Sequence, residues 1–117
     1  MGSMSLVKQG AIYLYNDNDI VWVGLEYNGY FLDRHYSGQY YTEDDVLKYF
    51  KREITLKEAV SLNLISYFRF SRMGKADKVD TIKTMLEVKG LLETLDFLSQ
   101  TELGLSKEYL ESILNSK

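Results

Sequence analysis

The sequence predicts an α+β fold: an N-terminal antiparallel β-meander of three or four strands, followed by about four helices packed on the sheet. Three observations carry this. As far as about residue 36, short runs of β-branched and aromatic residues alternate with clusters of Asn, Asp and Gly. From Thr42 onward, helix-capping signals and apolar residues at helical spacing replace them. Proline is absent, where average usage would give about six, so the turns rest on Gly, Asn and Asp.

The first strand is Ala11 to Tyr15, and Asn16-Asp17-Asn18-Asp19 reads as a four-residue turn. Ile20 to Tyr27 is the second strand. Asn28-Gly29 is a strong signal for a type I′ hairpin, because both central positions need positive φ. Tyr30 to Tyr36 is then the third strand, ended by Ser37-Gly38. A two-residue turn sets Tyr27 opposite Tyr30, Leu25 opposite Leu32, Val23 opposite Arg34 and Trp22 opposite His35. The four-residue turn sets Tyr15 opposite Ile20 and Tyr13 opposite Trp22.

This register gives the sheet two faces. Ile12, Leu14, Val21, Val23, Leu25, Tyr27, Tyr30 and Leu32 form the expected core face. Tyr13, Tyr15, Ile20, Trp22, Phe31 and His35 share the other with Glu26 and Asp33, a face that is aromatic yet polar-tipped.

Thr42-Glu43-Asp44-Asp45 starts a helix with a capping hydroxyl and acids against the positive end of the dipole, and Val46, Leu47 and Phe50 give its inner face. Thr55-Leu56-Lys57-Glu58 fits a capping box and begins a second helix, continued by Leu56, Ala59 and Val60. Leu64 to Arg72 is ambiguous by period, and its aromatic density leans to strand.

Lys75 to about Gln100 reads as one long amphipathic helix, with Val79, Ile82, Met85, Leu86, Leu91, Leu92, Leu95 and Leu98 in its apolar stripe. Gly90 inside it marks a kink or a close approach. A last helix follows Gly104, capped by Ser106, with Leu105 and Leu110 as a hydrophobic staple and Tyr109, Ile113 and Leu114 inward.

The chain has 117 residues and a net charge of -3, which suits one soluble domain and gives no electrostatic reason to expect nucleic acid. We take 5–117 as a single domain, with Met1-Gly2-Ser3-Met4 containing the remnant of an expression tag. No apolar run approaches the roughly 20 residues that span a bilayer, and no signal peptide is visible, so a cytoplasmic protein is expected.

Chemistry is sparse. There is no cysteine, hence no disulfide, thiolate site or cysteine nucleophile. The only histidine, His35, follows Asp33 by two positions, as a general base and its orienting acid would, but no nucleophile motif accompanies them. The better reading is a surface histidine stacked across the strands on Trp22. Asn16 to Asp19 offers oxygen ligands but lacks the glycine and distant glutamate of a calcium loop. Met73-Gly74-Lys75 lacks the rest of a phosphate loop. We therefore expect no enzyme, catalytic residue, metal or cofactor.

What the sequence offers is a surface. Six of the fifteen residues from Tyr27 to Tyr41 are Tyr or Phe, and tyrosine gives contact area at low entropic cost. The expected partner-binding residues are Tyr13, Tyr15, Trp22, Phe31 and His35, unless the helices cover that face and make it a second core layer. The leading expectation is a non-enzymatic protein-interaction module, a small inhibitor or adaptor of bacterial or phage type. The alternative is a nucleic-acid accessory protein using Arg69, Arg72, Lys75 and Lys78 among the aromatics of 68–78. The stripe of helix 75–100 also offers a route to a homodimer.

Overall fold

The computed structural model describes residues 7–101 and Ser112. The class is α+β, with a five-stranded antiparallel sheet and five helices among the described residues. Chain contacts divide it into two compact units, the boundary falling between Thr55 and Leu56. That is where the capping box of the sequence begins its second helix. Apart from Ser112, the expected last helix lies outside the described residues.

The first unit holds β1 (Ile12–Tyr15), β2 (Asp19–Tyr27), β3 (Tyr30–Asp33), β4 (Tyr40–Tyr41), α1 (Glu43–Tyr49) and β5 (Phe50–Ile54). The strands run in the order β4-β3-β2-β1-β5. The Asn28-Gly29 turn forms as expected: φ is +53° and +84°, and Tyr27 pairs with Tyr30. Thr42 caps α1 in a full capping box, its Oγ1 accepting from the Asp45 N–H at 3.1 Å while Asp45 Oδ2 accepts from the Thr42 N–H at 3.0 Å.

Three local features change the expected register. Tyr15 pairs with Asp19, not Ile20, so the first turn has three residues, opened by Asn16 at φ +57°. This one-residue slip turns β1 over relative to β2, placing Tyr13 opposite Val21 and Ile12 opposite Trp22.

The second feature lies on β2. Glu26 pairs with Phe31, but Val23 pairs with Asp33, so the ladder slips by one residue between Val23 and Glu26. Such a bulge inverts the alternation of side chains along its strand. Gly24 sits in it because a Cβ there would stand 3.1 Å from the Arg34 Cα and 3.4 Å from the Leu32 carbonyl oxygen. The ladder of β3 then ends at Asp33, short of the expected Tyr36.

The third is β5, which the sequence reading merged into the end of α1. Phe50 leaves the helix with extended φ and ψ, and Phe50–Ile54 pairs with β1. Leu47, expected on the inner face of α1, is exposed, while Val46 is buried.

The two faces are consequently reassigned. Val7, Tyr13, Val21, Val23, Phe31 and Val46 form one buried cluster, with Ala11, Tyr15, Tyr41 and Phe50 packed against it. The other face carries Ile12, Leu14, Ile20, Trp22 and Ile54, and beyond the bulge Tyr27, Tyr30, Leu32 and Tyr40.

The second unit holds α2 (Leu56–Ser61), α3 (Tyr67–Arg72), α4 (Lys75–Lys89) and α5 (Leu91–Ser99). The segment leaning to strand is helical. Ser66 caps α3, its Oγ accepting from the Arg69 N–H at 3.0 Å, and the buried positions Ile65, Arg69, Phe70 and Met73 follow helical spacing. Phe70 is fully buried and meets the Phe97 ring edge-on at 5.6 Å.

The expected helix of residues 75–100 is two helices. Gly90 has φ +90°, so no helix runs through it. Its N–H caps α4 by donating to the Met85 and Leu86 carbonyls at 3.2 Å, and its carbonyl accepts from the Thr94 N–H at 3.1 Å to start α5. Ile82, Met85, Leu86 and Leu98 of the expected stripe are buried, whereas Leu92 is 81% exposed.

Candidate functional site

Of the five partner-binding residues expected from sequence, four are buried and Tyr15 is half-buried. Phe31 is 4% exposed, and Tyr13, Trp22 and His35 are also buried. Tyr15 is half-buried among rings: Tyr41 and Tyr49 lie 5.5 Å away by centroid, and Phe50 lies 6.0 Å away. Phe50 also meets Tyr13 at 5.7 Å and Tyr41 at 5.5 Å. These five rings form one aromatic cluster where β1, β4 and β5 meet the end of α1. Tilted and edge-on pairs at such distances add to area burial, and the Tyr13 hydroxyl accepts a 2.9 Å hydrogen bond from the Lys8 N–H.

His35 does stack on Trp22, edge-on at 4.9 Å, but both are buried rather than at the surface. Asp33 Oδ1 accepts from the backbone N–H of His35 at 2.9 Å, and Oδ2 accepts from that of Trp22 at 3.4 Å. The carboxylate thus ties the end of β3 to β2 through main-chain donors. The Trp22 Nε1–H is buried without a hydrogen-bond partner among the described residues.

The exposed aromatics of the sheet lie on the face that carries Tyr27 and Tyr30, which the sequence reading assigned to the core. Tyr27 is 66% exposed, Tyr30 40% and Tyr40 58%. Tyr27 and Tyr30 are a cross-strand pair beside the Asn28-Gly29 turn, and Tyr40 pairs with Leu32 on the same side. The Tyr30 and Tyr40 rings are nearly perpendicular, 80° apart in plane with centroids at 5.2 Å. Leu25, in the bulge, is exposed next to Glu26. Three elements therefore present three tyrosines on one surface. One overlooked signal for this surface is Gly24, since a lone glycine in a strand pattern marks a bulge, and a bulge exchanges the faces.

The second set of candidate residues is divided. Arg69 is buried inside its helix face, while Arg72 and Lys75 are exposed and Lys78 is half-buried. The Arg72 guanidinium lies 5.7 Å from the centroid of the exposed Phe68 ring. Among the described residues, no group of three or more His, Asp or Glu side chains is placed to hold a metal ion. No helix among them is long and apolar enough to cross a membrane. No protein-family model, curated protein or solved structure matches the chain.

Proposed function

We propose that the protein is a non-enzymatic protein-interaction module, an inhibitor or adaptor of the kind that bacteria and phages encode, acting through Tyr27, Tyr30 and Tyr40. The observation that supports this is the exposure of the three rings on one sheet face, while the tyrosines of the opposite face are drawn into a core. A cross-strand tyrosine pair beside a turn stabilises a hairpin by itself, by roughly 0.2–1 kcal/mol. Tyr40 exceeds that need, since it comes from a separate two-residue strand and is still more than half exposed. Large rigid rings with a polar tip are what interface hot spots are made of.

The test compares the wild type with a Tyr27→Ser, Tyr30→Ser, Tyr40→Ser variant as bait in lysate of the source cells. Stoichiometric capture of one protein by the wild type, lost in a variant that melts within a few degrees of it, is the expected outcome. Absence of a stoichiometric partner, or equal capture by both baits, would overturn the reading.

The nucleic-acid alternative rests on Phe68 under Arg72, an exposed ring and cation on which a base could stack. The burial of Arg69 removes one of its four cations. It predicts binding to single-stranded nucleic acid that weakens steeply as salt rises, and it fails if none is seen at low salt.

A further inference from the structure

The helical unit contains an open cleft of about 460 Å³ between the end of α2, the start of α3, and α4 and α5. That volume is in the range of small-molecule sites. Its floor is apolar: Val60, Ile65 and Met85 are buried there. Thr94 joins them, its hydroxyl already engaged by the Gly90 carbonyl at 2.8 Å. Tyr67 and Phe97, with ring centroids 4.7 Å apart, form one wall.

Among the described residues, charge enters the cleft from three side chains, Lys89 of α4 and Glu93 and Asp96 of α5. None of the three makes an ion pair or a side-chain hydrogen bond among the described residues, whereas Lys57 and Glu87 of the same unit pair at 3.7 Å. The cleft therefore combines an apolar floor, an aromatic wall and uncompensated charges of both signs.

We propose that this cleft binds a small zwitterion with an apolar body, of which the free apolar α-amino acids are the simplest class. The ligand's ammonium faces Glu93 and Asp96, its carboxylate faces Lys89, and its side chain lies on the floor against Tyr67 and Phe97. Charge complementarity selects this class. A neutral apolar ligand would partly desolvate three charges and satisfy none. A simple amine would leave Lys89 facing a like charge, and a simple carboxylate would face two acids. The site lies in a different unit from the exposed tyrosines and does not depend on their role.

The experiment is an NMR titration of the full chain with three probes sharing one body: L-phenylalanine, phenethylamine and 3-phenylpropanoate. L-Phenylalanine is expected to bind with Kd of about 1 mM, given its size and the openness of the cleft, with shifts centred on Thr94, Phe97 and Ile65. The amine and the acid should each bind about tenfold more weakly, the ordinary worth of one charged hydrogen bond. Lys89→Gln should bring L-phenylalanine down to the level of phenethylamine. Glu93→Gln with Asp96→Asn should bring it down to the level of 3-phenylpropanoate. All three side chains are on the surface or half-buried, and a dispersed spectrum of each variant confirms that it is folded. The proposal is overturned if L-phenylalanine gives no saturable shifts, if either probe with a single charge binds as tightly, or if the substitutions leave its affinity unchanged.

Discussion

Tyr40 and Tyr41 are neighbours in one short strand, and they end up in opposite environments. Tyr41 pairs with Phe31 and packs into the aromatic cluster with Tyr15 and Phe50. Tyr40 pairs with Leu32, meets only Tyr30 among the aromatic rings of the described residues, at 5.2 Å, and stays 58% exposed. Strand alternation alone separates them. The same residue type therefore serves as packing on one face and as display on the other. Composition cannot say which, because tyrosine is apolar enough for a core and polar enough for a surface. Only the register decides, and from β1 to β3 it depends on the bulge at Gly24 and the turn at Asn16.

The largest effect should come from the contrast between Phe31 and Tyr30, adjacent residues on opposite faces. Phe31→Ala removes a ring from the buried cluster and should destabilise the protein by about 3–5 kcal/mol in urea denaturation. Tyr30→Ala removes an exposed ring and should cost about 1 kcal/mol or less. Equal losses would mean that the two faces are not distinguished in this way.

Gly24→Ala tests the bulge that sets the contrast. The added methyl meets backbone of β3 and the residue after it, at 3.1–3.4 Å, rather than the end of a flexible side chain. A loss of about 1–3 kcal/mol is expected, as for other forced overpacking. A neutral result in the same denaturation experiment would argue that β2 and β3 lie farther apart than the bulged register requires. The exposure of Tyr27 and Tyr30 would then need another explanation.

The parts of this fold that were legible in the sequence are those with a local cause. Asn28-Gly29 needs positive φ at two successive positions and finds it, and Thr42 with Asp45 closes its capping box with no help from the rest of the chain. What was not legible depends on pairing at a distance. A three-residue turn at Asn16 and a four-residue one look alike in composition, yet the difference of one residue exchanges the environments of Tyr13 and Ile12. Phe50–Ile54 carries Lys, Arg and Glu at its centre, so nothing in its pattern marks it as a strand until β1 is there to pair with it.

Leu64 to Arg72 failed for a different reason. Its aromatic density favoured a strand, but Ser66 supplies a helix cap and the spacing of Ile65, Arg69 and Phe70 supplies a helical face. The candidate site suffered most. The aromatics read from sequence as the partner surface are buried or half-buried, because the register that places them depends on pairing at a distance.

The smallest effect probes the environment of Tyr15 by pH. Burial of Tyr15, then the neighbouring Tyr49, Asp45 and Asp19, raise its hydroxyl above the ordinary tyrosine value of 10.0. In the unfolded chain the group ionises near its ordinary value, while in the folded chain it holds its proton to higher pH. The folded state then binds more protons than the unfolded one, so stability must fall as pH rises. The contribution is fully present below about pH 10 and is lost as pH climbs through the folded value. Denaturation midpoints measured from pH 8 upward should therefore decline in the wild type and decline less in Tyr15→Phe, which has no hydroxyl to ionise. If Tyr15→Phe declines as steeply as the wild type, the aromatic cluster does not discriminate against the phenolate, and its ring contacts would have to be wetter than the packing around Tyr15 implies.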